Sequence, residues 1–234
     1  IKEAKERKAK AAASKTNAGA VARGDRLAKE RPDLADRVRK GELKPTEAHR
    51  QMKRDAVADK VSELPTDQYR IIYADPPWKY GDKRDGHTTG AEDHYPTLSI
   101  SELCALPVKD MAATDAVLFL WVTSPMLEDA FSIIKAWGFQ YKTSFVWDKI
   151  KHNMGHYNSV RHEFLLVCTR GSCTPDNSTL FDSVQSIERT EHSMKPERFR
   201  EIIDTLYVHG KKIELFRRGT VLPGWDAWGN ETHE

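Results

Sequence analysis

The chain has 234 residues, 39% of them hydrophobic and 31% charged, which is room for one α/β core and a smaller appendage. No apolar run approaches the ~18 residues of a membrane span and no signal-peptide core is visible, so a soluble, cytoplasmic protein is expected. The three cysteines, Cys104, Cys168 and Cys173, are odd in number and lack Cys-x-x-Cys spacing, which favours neither a disulfide framework nor a zinc site. The net charge of +2 hides an asymmetry: residues 1–60 carry 18 Lys and Arg against 10 Asp and Glu, and the remainder carries 19 against 25. A basic front on a mildly acidic body suits an appendage that meets an anionic polymer; a solvated helical arm is the equal alternative.

The front, residues 1–66, reads as a basic helical region. Residues 1–15 are Lys, Glu, Arg and Ala without an apolar stripe, a fraying helix or a disordered arm. Residues 17–22 read as a loose joint, followed by a short helical turn from Asp25 to Pro32. Pro32–Gly41 carries helix start and stop signals, and Lys44-Pro45-Thr46 opens a third helix to about Leu64. Short helices with tight turns and outward cations fit a helix-turn-helix reader, and equally a helical linker or packing brace.

Pro65–Gln68 marks the boundary with a second domain, residues 67–234. Tyr69–Ala74 is apolar or aromatic apart from Arg70, as expected of a strand covered on both faces. It stops on Asp75-Pro76-Pro77-Trp78, because proline donates no N–H to a ladder. Asp75 and Trp78 thus stand at the carboxyl end of a strand, where open α/β sheets bind ligands. A strand with a rigid turn is the plain alternative for these four residues alone.

Lys79–Tyr95, with three glycines, reads as a mobile loop beside the site. Ser99 with Glu102 three residues on gives a capping-box spacing for a helix to Leu106. Ala116–Val122 is a second buried strand, and Ser124-Pro125 opens a helix to Trp137 that Gly138 ends. Phe139–Trp147 alternates as a strand, Asp148–Arg161 reads as a polar loop, Glu163–Thr169 as a strand and Asp182–Thr190 as an edge strand. Pro196–Tyr207 is an amphipathic helix with proline in its first turn, and Lys211–Phe216 is the last clear strand. Strands alternating with helices predict an α/β, doubly wound sheet.

No Gly-x-Gly pair, no Gly-Lys-Ser/Thr and no Gly-x-Ser-x-Gly occurs, so the dinucleotide fingerprint, the P-loop and the nucleophile elbow are all missing. His152 and His156 are four apart but lie among glycine and asparagine, a poor zinc pair, and no metal is expected.

Six stretches in order, Asp75–Trp78, Tyr95–Leu98, Phe119–Thr123, His162–Val167, His192–Pro196 and Lys212–Phe216 with Gly224–Glu231, resemble the MT-A70 family of S-adenosylmethionine-dependent N6-adenine methyltransferases. The likeness runs from Tyr69 to Glu231. It implies a Rossmann-like methyltransferase sheet with permuted motif order, catalytic strand first. It places Asp75, Pro76, Pro77 and Trp78 in the catalytic motif. A carboxylate (Asp75) and a carbonyl (Pro76) would accept the two N–H bonds of adenine's amine, and Trp78 would offer a flat face to a base taken out of its stack. It implies cofactor contacts at Asp75, Lys195, Glu214, Phe216, Arg218, Asn230 and Glu231. Arg218 rather than Arg217 is chosen by strand alternation. It lines the target-base side with Tyr80, Tyr95, Trp121, His162 and Glu163. The partner implied is DNA, with RNA as the alternative; zinc fingers of the messenger-RNA writers are missing. A homodimer or a related partner subunit is compatible with the resemblance, and so is a non-catalytic nucleic-acid-binding subunit.

Overall fold

The computed structural model describes residues 18–49, 51–52, 55, 64–79, 97–154, 157–189, 194–229 and 231–233, with backbone alone for 18, 152–154, 218 and 231–233. The chain divides into two compact units, Ile1–Leu64 and Pro65–Glu234.

In the first unit, helix α1 (Ala18–Glu30) is followed by α2 (Pro32–Arg39), and the chain is helical again over 45–49. The loose joint expected at residues 17–22 is instead α1 from Ala18 on; the alanines there favour helix more strongly than Gly19 disfavours it. Proline at the first turn starts α2, as expected, and Gly41 leaves it at φ +73°. Leu27, Leu34, Ala35, Ala48 and Met52 form a small core of their own. The expected first helix, residues 1–15, and most of the third lie outside the described residues.

The second unit is built on a seven-stranded sheet of order β5-β3-β4-β2-β1-β6-β8. The strands are β1 (Tyr69–Ala74), β2 (Ala112–Val122), β3 (Gln140–Met154), β4 (Ser159–Arg170), β5 (Val184–Ser186), β6 (Lys212–Leu215) and β8 (Asp226–Trp228). β7 (Arg218–Thr220) and β9 (Glu231–His233) make a separate parallel pair. The sheet is mostly parallel; β4 runs antiparallel to both β2 and β3. This is the expected mixed α/β, Rossmann-like methyltransferase sheet.

The strand β1 is the pivot of the topology. It pairs in parallel with β2 on one side and with β6 on the other, although β6 arrives some 140 residues later. The chain therefore leaves β1 in two directions, which opens a crevice beyond its carboxyl end. Both faces of the strand are covered. Ile71, Tyr73, Val117, Phe119, Trp121 and Leu165 join one core cluster with Phe199, Ile202, Ile203 and Leu206 of α6 (Glu197–Leu206). Residues of opposite parity, Ile72, Ala74, Leu118, Leu120 and Leu166, are buried as well. Arg70, the one charge in the strand, forks onto Asp176 with two bonds of 2.7 Å, at the end of β1 away from Asp75.

Ser99 caps α3 (Ile100–Ala105) with the full capping box: the Glu102 carboxylate accepts from the Ser99 N–H at 2.8 Å, and the Ser99 hydroxyl accepts from the Glu102 N–H at 3.3 Å. A short α4 (Val108–Met111), not foreseen, precedes β2. The helix expected after Ser124-Pro125 starts as a 3₁₀ turn, Ser124–Met126, continues as α5 (Leu127–Ala136) and is ended by Gly138 at φ +80°.

One expectation is overturned. The polar loop expected over Asp148–Arg161 is mostly strand: β3 extends to Met154 and β4 begins at Ser159, giving one long antiparallel hairpin. The ladder slips between Asp148 and Asn153, where Ile150 sits at φ +64°. Of the described side chains of this distal hairpin, Ile150, Lys151, Tyr157, Asn158, Ser159 and Arg161 are exposed, so no apolar alternation marks it. Among the described residues no helix is long and apolar enough to cross a membrane.

Candidate active site

The residues around the carboxyl end of β1 come from the carboxyl-terminal parts of the parallel strands and, because β4 runs the other way, from the amino-terminal part of β4. β1 supplies Asp75, Pro76, Pro77 and Trp78, β2 supplies Trp121 and then Ser124, β4 supplies His162 and Glu163, and β6 supplies Glu214. Lys195 comes from the segment leading into α6.

The four-residue motif is rigid in two ways. The Trp78 N–H donates to the Pro76 carbonyl at 2.9 Å, and the Leu98 N–H donates to the Pro77 carbonyl at 2.9 Å. The Trp78 indole N–H donates to the Trp121 carbonyl at 3.1 Å. Trp121 in turn donates its indole N–H to the Tyr73 hydroxyl at 2.7 Å, and its ring packs edge-on against Phe199 and Trp147. Trp78 is only 6% exposed. It is a tethered wall rather than the open stacking face expected, because its ring edge is held on β2.

Four charged side chains alternate in sign across this wall. The Lys195 ammonium donates to Asp75 at 2.7 Å and lies 3.5 Å from Glu163 Oε2. Lys149, on β3, donates to the other oxygen, Glu163 Oε1. Lys195 also stands over the Trp121 ring and Lys149 over the Trp147 ring. The side chains of Lys149, Glu163 and Lys195 are each less than 15% exposed, whereas that of Asp75 is 32% exposed. Burial, the largest influence on Glu163, works to raise its pKa, but Lys195 and Lys149 together outweigh it and hold the carboxyl below its ordinary value. Burial likewise works to lower Lys195, and Asp75 and Glu163 reverse the sign, so its pKa lies above the ordinary lysine value.

The opposite side of β1 has a second acid. Glu214 of β6 accepts from Arg200 of α6 at 2.8 Å and from Arg217 at 3.0 Å. Its pKa is nevertheless raised, with burial first among the causes and two arginines opposing it. Arg200 is itself buried, over the rings of Tyr73 and Trp225, and its Nε has no hydrogen-bond partner among the described residues. Beyond Glu214 the strand ends. Phe216 takes φ +65°, packs edge-on against Trp228, and resets the alternation that favoured Arg218. Arg217 is therefore the arginine that turns to Glu214, while only the backbone of Arg218 is described, in β7. On the far side of β2, Ser124 Oγ and His162 Nε2 are 3.0 Å apart.

Among the expected site residues the structure brings Asp75, Trp78, Trp121, Glu163 and Lys195 into one cluster and sets Glu214 and Phe216 across β1 from it. Tyr80, Tyr95 and Asn230 lie outside the described residues, as does the Lys79–Tyr95 loop beyond its first residue; Glu231 is described in backbone only, in β9. Among the described residues no group of three or more His, Cys, Asp or Glu could hold a metal ion.

The MT-A70 family model matches residues 69–231, from the first residue of β1 to the first of β9. The chain is an MT-A70 family methyltransferase. It is 38% identical over 187 residues to the type II methyltransferase M.MunI of Mycoplasma sp, an alignment covering 72% of this chain and 80% of that enzyme. It is 31% identical over 173 residues to an N(6)-adenosine-methyltransferase MT-A70-like protein of Drosophila melanogaster, and 30% identical to the N(6)-adenosine-methyltransferase catalytic subunit METTL3 of Homo sapiens. Those two alignments each cover 70% of this chain but only 27% and 28% of the relatives. Within the MT-A70 span, sequence reasoning missed Lys149, Arg200 and Arg217. Lys149 stood in a stretch read as loop, and Arg200 drew no reading of its own within the expected amphipathic helix. Only its place beside Phe199, on the apolar stripe, could have marked it.

Proposed function

We propose that this MT-A70 protein transfers a methyl group from S-adenosylmethionine to the N6 amine of adenine in DNA. The observation that carries the reading is Asp75, a half-open carboxylate at the end of the switch-point strand, followed by a tethered Pro-Pro-Trp and paired with a buried ammonium. When bound, S-adenosylmethionine supplies an electrophilic methyl on a sulfonium sulfur. The donor set fits such a group. Lys195 carries three N–H bonds and the carboxylates use two, which leaves one for an α-carboxylate. Acidic side chains suit an α-amine and a ribose diol, and Glu214 is the acid across β1 available to the diol. Phe216, Arg218, Asn230 and Glu231 complete the cofactor set in this reading.

Adenine's amine is a poor nucleophile because its lone pair is delocalised into the ring. Asp75 accepts one of its N–H bonds and the Pro76 carbonyl the other, which localises the lone pair and aims it. The Pro76 carbonyl already accepts from the Trp78 N–H, so its direction is fixed, and a second lone pair is left for the amine in this reading. Asp75 is an orienting acceptor rather than a strong base, since an alkylated amine sheds its proton readily. Trp121, Glu163, His162, Tyr80 and Tyr95 line the base side, and the aromatic and acidic walls favour the positive charge carried on the moving methyl.

The likeness to a type II methyltransferase over four fifths of its length supports DNA as the polymer, and the basic excess of residues 1–60 supports an anionic partner. The test is transfer of labelled methyl to duplex DNA, single-stranded DNA and RNA, with Asp75→Ala beside the parent. Label on DNA adenine that vanishes in the variant is the expected result. Label on RNA alone would move the substrate to RNA, in line with the adenosine-methyltransferase relatives, and keep the chemistry. No cofactor binding and no transfer would leave a nucleic-acid-binding subunit, acting with a homologous catalytic partner or as a homodimer.

A further inference from the structure

Glu163 is the only described carboxylate in the crevice with a lysine on each oxygen. Lys149 holds Oε1 and Lys195 stands 3.5 Å from Oε2, while Lys195 sits closer, at 2.7 Å, to Asp75. Lys195 is therefore shared unequally between two acids, and the share is decided by how fully Glu163 is satisfied elsewhere. Lys149 is the group that satisfies it. Its ammonium reaches across the hairpin from β3, where Trp147 is the residue paired with Glu163, and rests over the Trp147 ring two residues away. Cluster and ring together leave Lys149 mostly buried, unlike the exposed Lys151 two residues further on, which pairs with the exposed Glu188. Burying a lysine is unfavourable unless its partners compensate, so a surface-charge role does not explain the arrangement.

We propose that Lys149 is a positioning residue for the candidate active site: by occupying one oxygen of Glu163 it keeps Lys195 turned to Asp75. The four side chains form a neutral set, two acids and two ammoniums. Without Lys149 the set carries one surplus negative charge in a mostly buried place. Two relaxations are open: Glu163 draws Lys195 away from Asp75, or a carboxyl takes up a proton. The first leaves Asp75 without the ammonium that aims it; the second, a proton on Glu163, removes the competition for Lys195 as the pH falls. Among the described residues the charged groups paired around Glu163 are Lys149 from β3, Lys195 from the segment before α6, and Asp75 from β1 through Lys195. The neighbouring His162 is turned to Ser124 instead.

The step to rate rests on the methyltransferase reading, but the positioning itself is tested without activity. The experiment follows the side-chain carboxyl of Glu163 by carbon-13 resonance across a pH titration of the whole chain, the signal being assigned by its loss in Glu163→Gln. Parent, Lys149→Met and Lys149→Arg are compared. The expected result is a Glu163 midpoint that rises by about one pH unit or more in Lys149→Met and stays near the parent's in Lys149→Arg. Equal midpoints in parent and Lys149→Met would overturn the proposal. Methyl transfer is read beside it. Positioning predicts a loss in Lys149→Met that grows as the pH rises through the Glu163 midpoint, to on the order of tenfold above it, because only the ionised carboxylate competes for Lys195. Lys149→Arg restores the rate; the same loss at every pH, unrepaired by arginine, overturns the proposal as merely structural. If the parent transfers no methyl group the functional reading falls, and the carboxyl titration still decides the role of Lys149.

Discussion

Two buried acids flank β1 at similar depth, and their environments push them in opposite directions. Glu163 sits between two lysines and is held below the ordinary carboxyl range; Glu214 sits between two arginines and is pushed above it. Burial opposes ionisation in both. The ammonium is a compact charge that can be brought hard against one oxygen, while the guanidinium spreads its charge over a plane and commits its donors elsewhere. Arg200 divides its bonds between Glu197 and Glu214, and Arg217 between Glu214 and the Thr220 carbonyl. Asp75 also bears on Glu214 as a like charge. The lysine side of β1 is thus an electrostatic device around the Asp75 of the candidate site, and the arginine side is a brace that tolerates a costly acid.

The comparison breaks most sharply at Asp75. Asp75→Ala is expected to lower methyl transfer by about 10²–10³-fold, with far-UV circular dichroism unchanged; retained transfer would remove Asp75 from the chemistry. Next in size is Lys195→Met, which strands Asp75 and Glu163 beside each other. Urea unfolding should show a loss of about 3 kcal/mol, and adding Glu163→Gln should recover part of it, since the surplus charge is then gone. A simple sum of the two single losses would deny the coupling.

The acid limb of stability separates the two acids by sign. Glu163 is depressed in the folded state, so its contribution is present above the ordinary glutamate value near 4.5 and is lost as the pH falls through the lower folded value. Glu214 is raised, so its contribution is present below that same ordinary value and is lost as the pH rises through the higher folded one. Glu163→Gln should therefore flatten the fall of unfolding free energy toward low pH, and Glu214→Gln should steepen it. Unfolding curves at intervals from pH 3 to 7 check this, and equal slopes would refute the contrast. The smallest effect belongs to Arg217→Lys, which keeps the charge at Glu214 but loses bonds to the Thr220 carbonyl. A cost of about 1 kcal/mol is expected by urea titration.

Much of the fold was legible because particular residues punctuate it. Ser99 with Glu102, Gly138 after Trp137 and the two prolines after Asp75 each dictate a backbone event that no distant contact overrides. Asp75, Lys195 and Glu214 were legible through motif and resemblance, and their places around β1 agree with a crevice at a strand end. What stayed hidden depended on long-range pairing. Beyond Lys149 the described side chains of the β3–β4 hairpin are mostly exposed and carry no apolar period, so Lys149, itself mostly buried, passed for loop. Arg217 was passed over because alternation was extended through Phe216, whose positive φ breaks the count. Such a conformation is uncommon for an aromatic residue and has no local signature.

The central place of β1 has a consequence in time. Ribosomes deliver a chain from its amino end, so Asp75 and β2 emerge long before β6, which must slot in on the other side of β1. Behind β6 the backbone of Gly229 then crosses so close to Arg217 that an added Cβ would lie 2.2 Å from its carbonyl oxygen. A nascent chain therefore displays Asp75 and its proline turn early but lacks β6 and β8, one whole flank of β1, until residue 229 is free to fold back. Synthesis itself delays the candidate site to the last strands made.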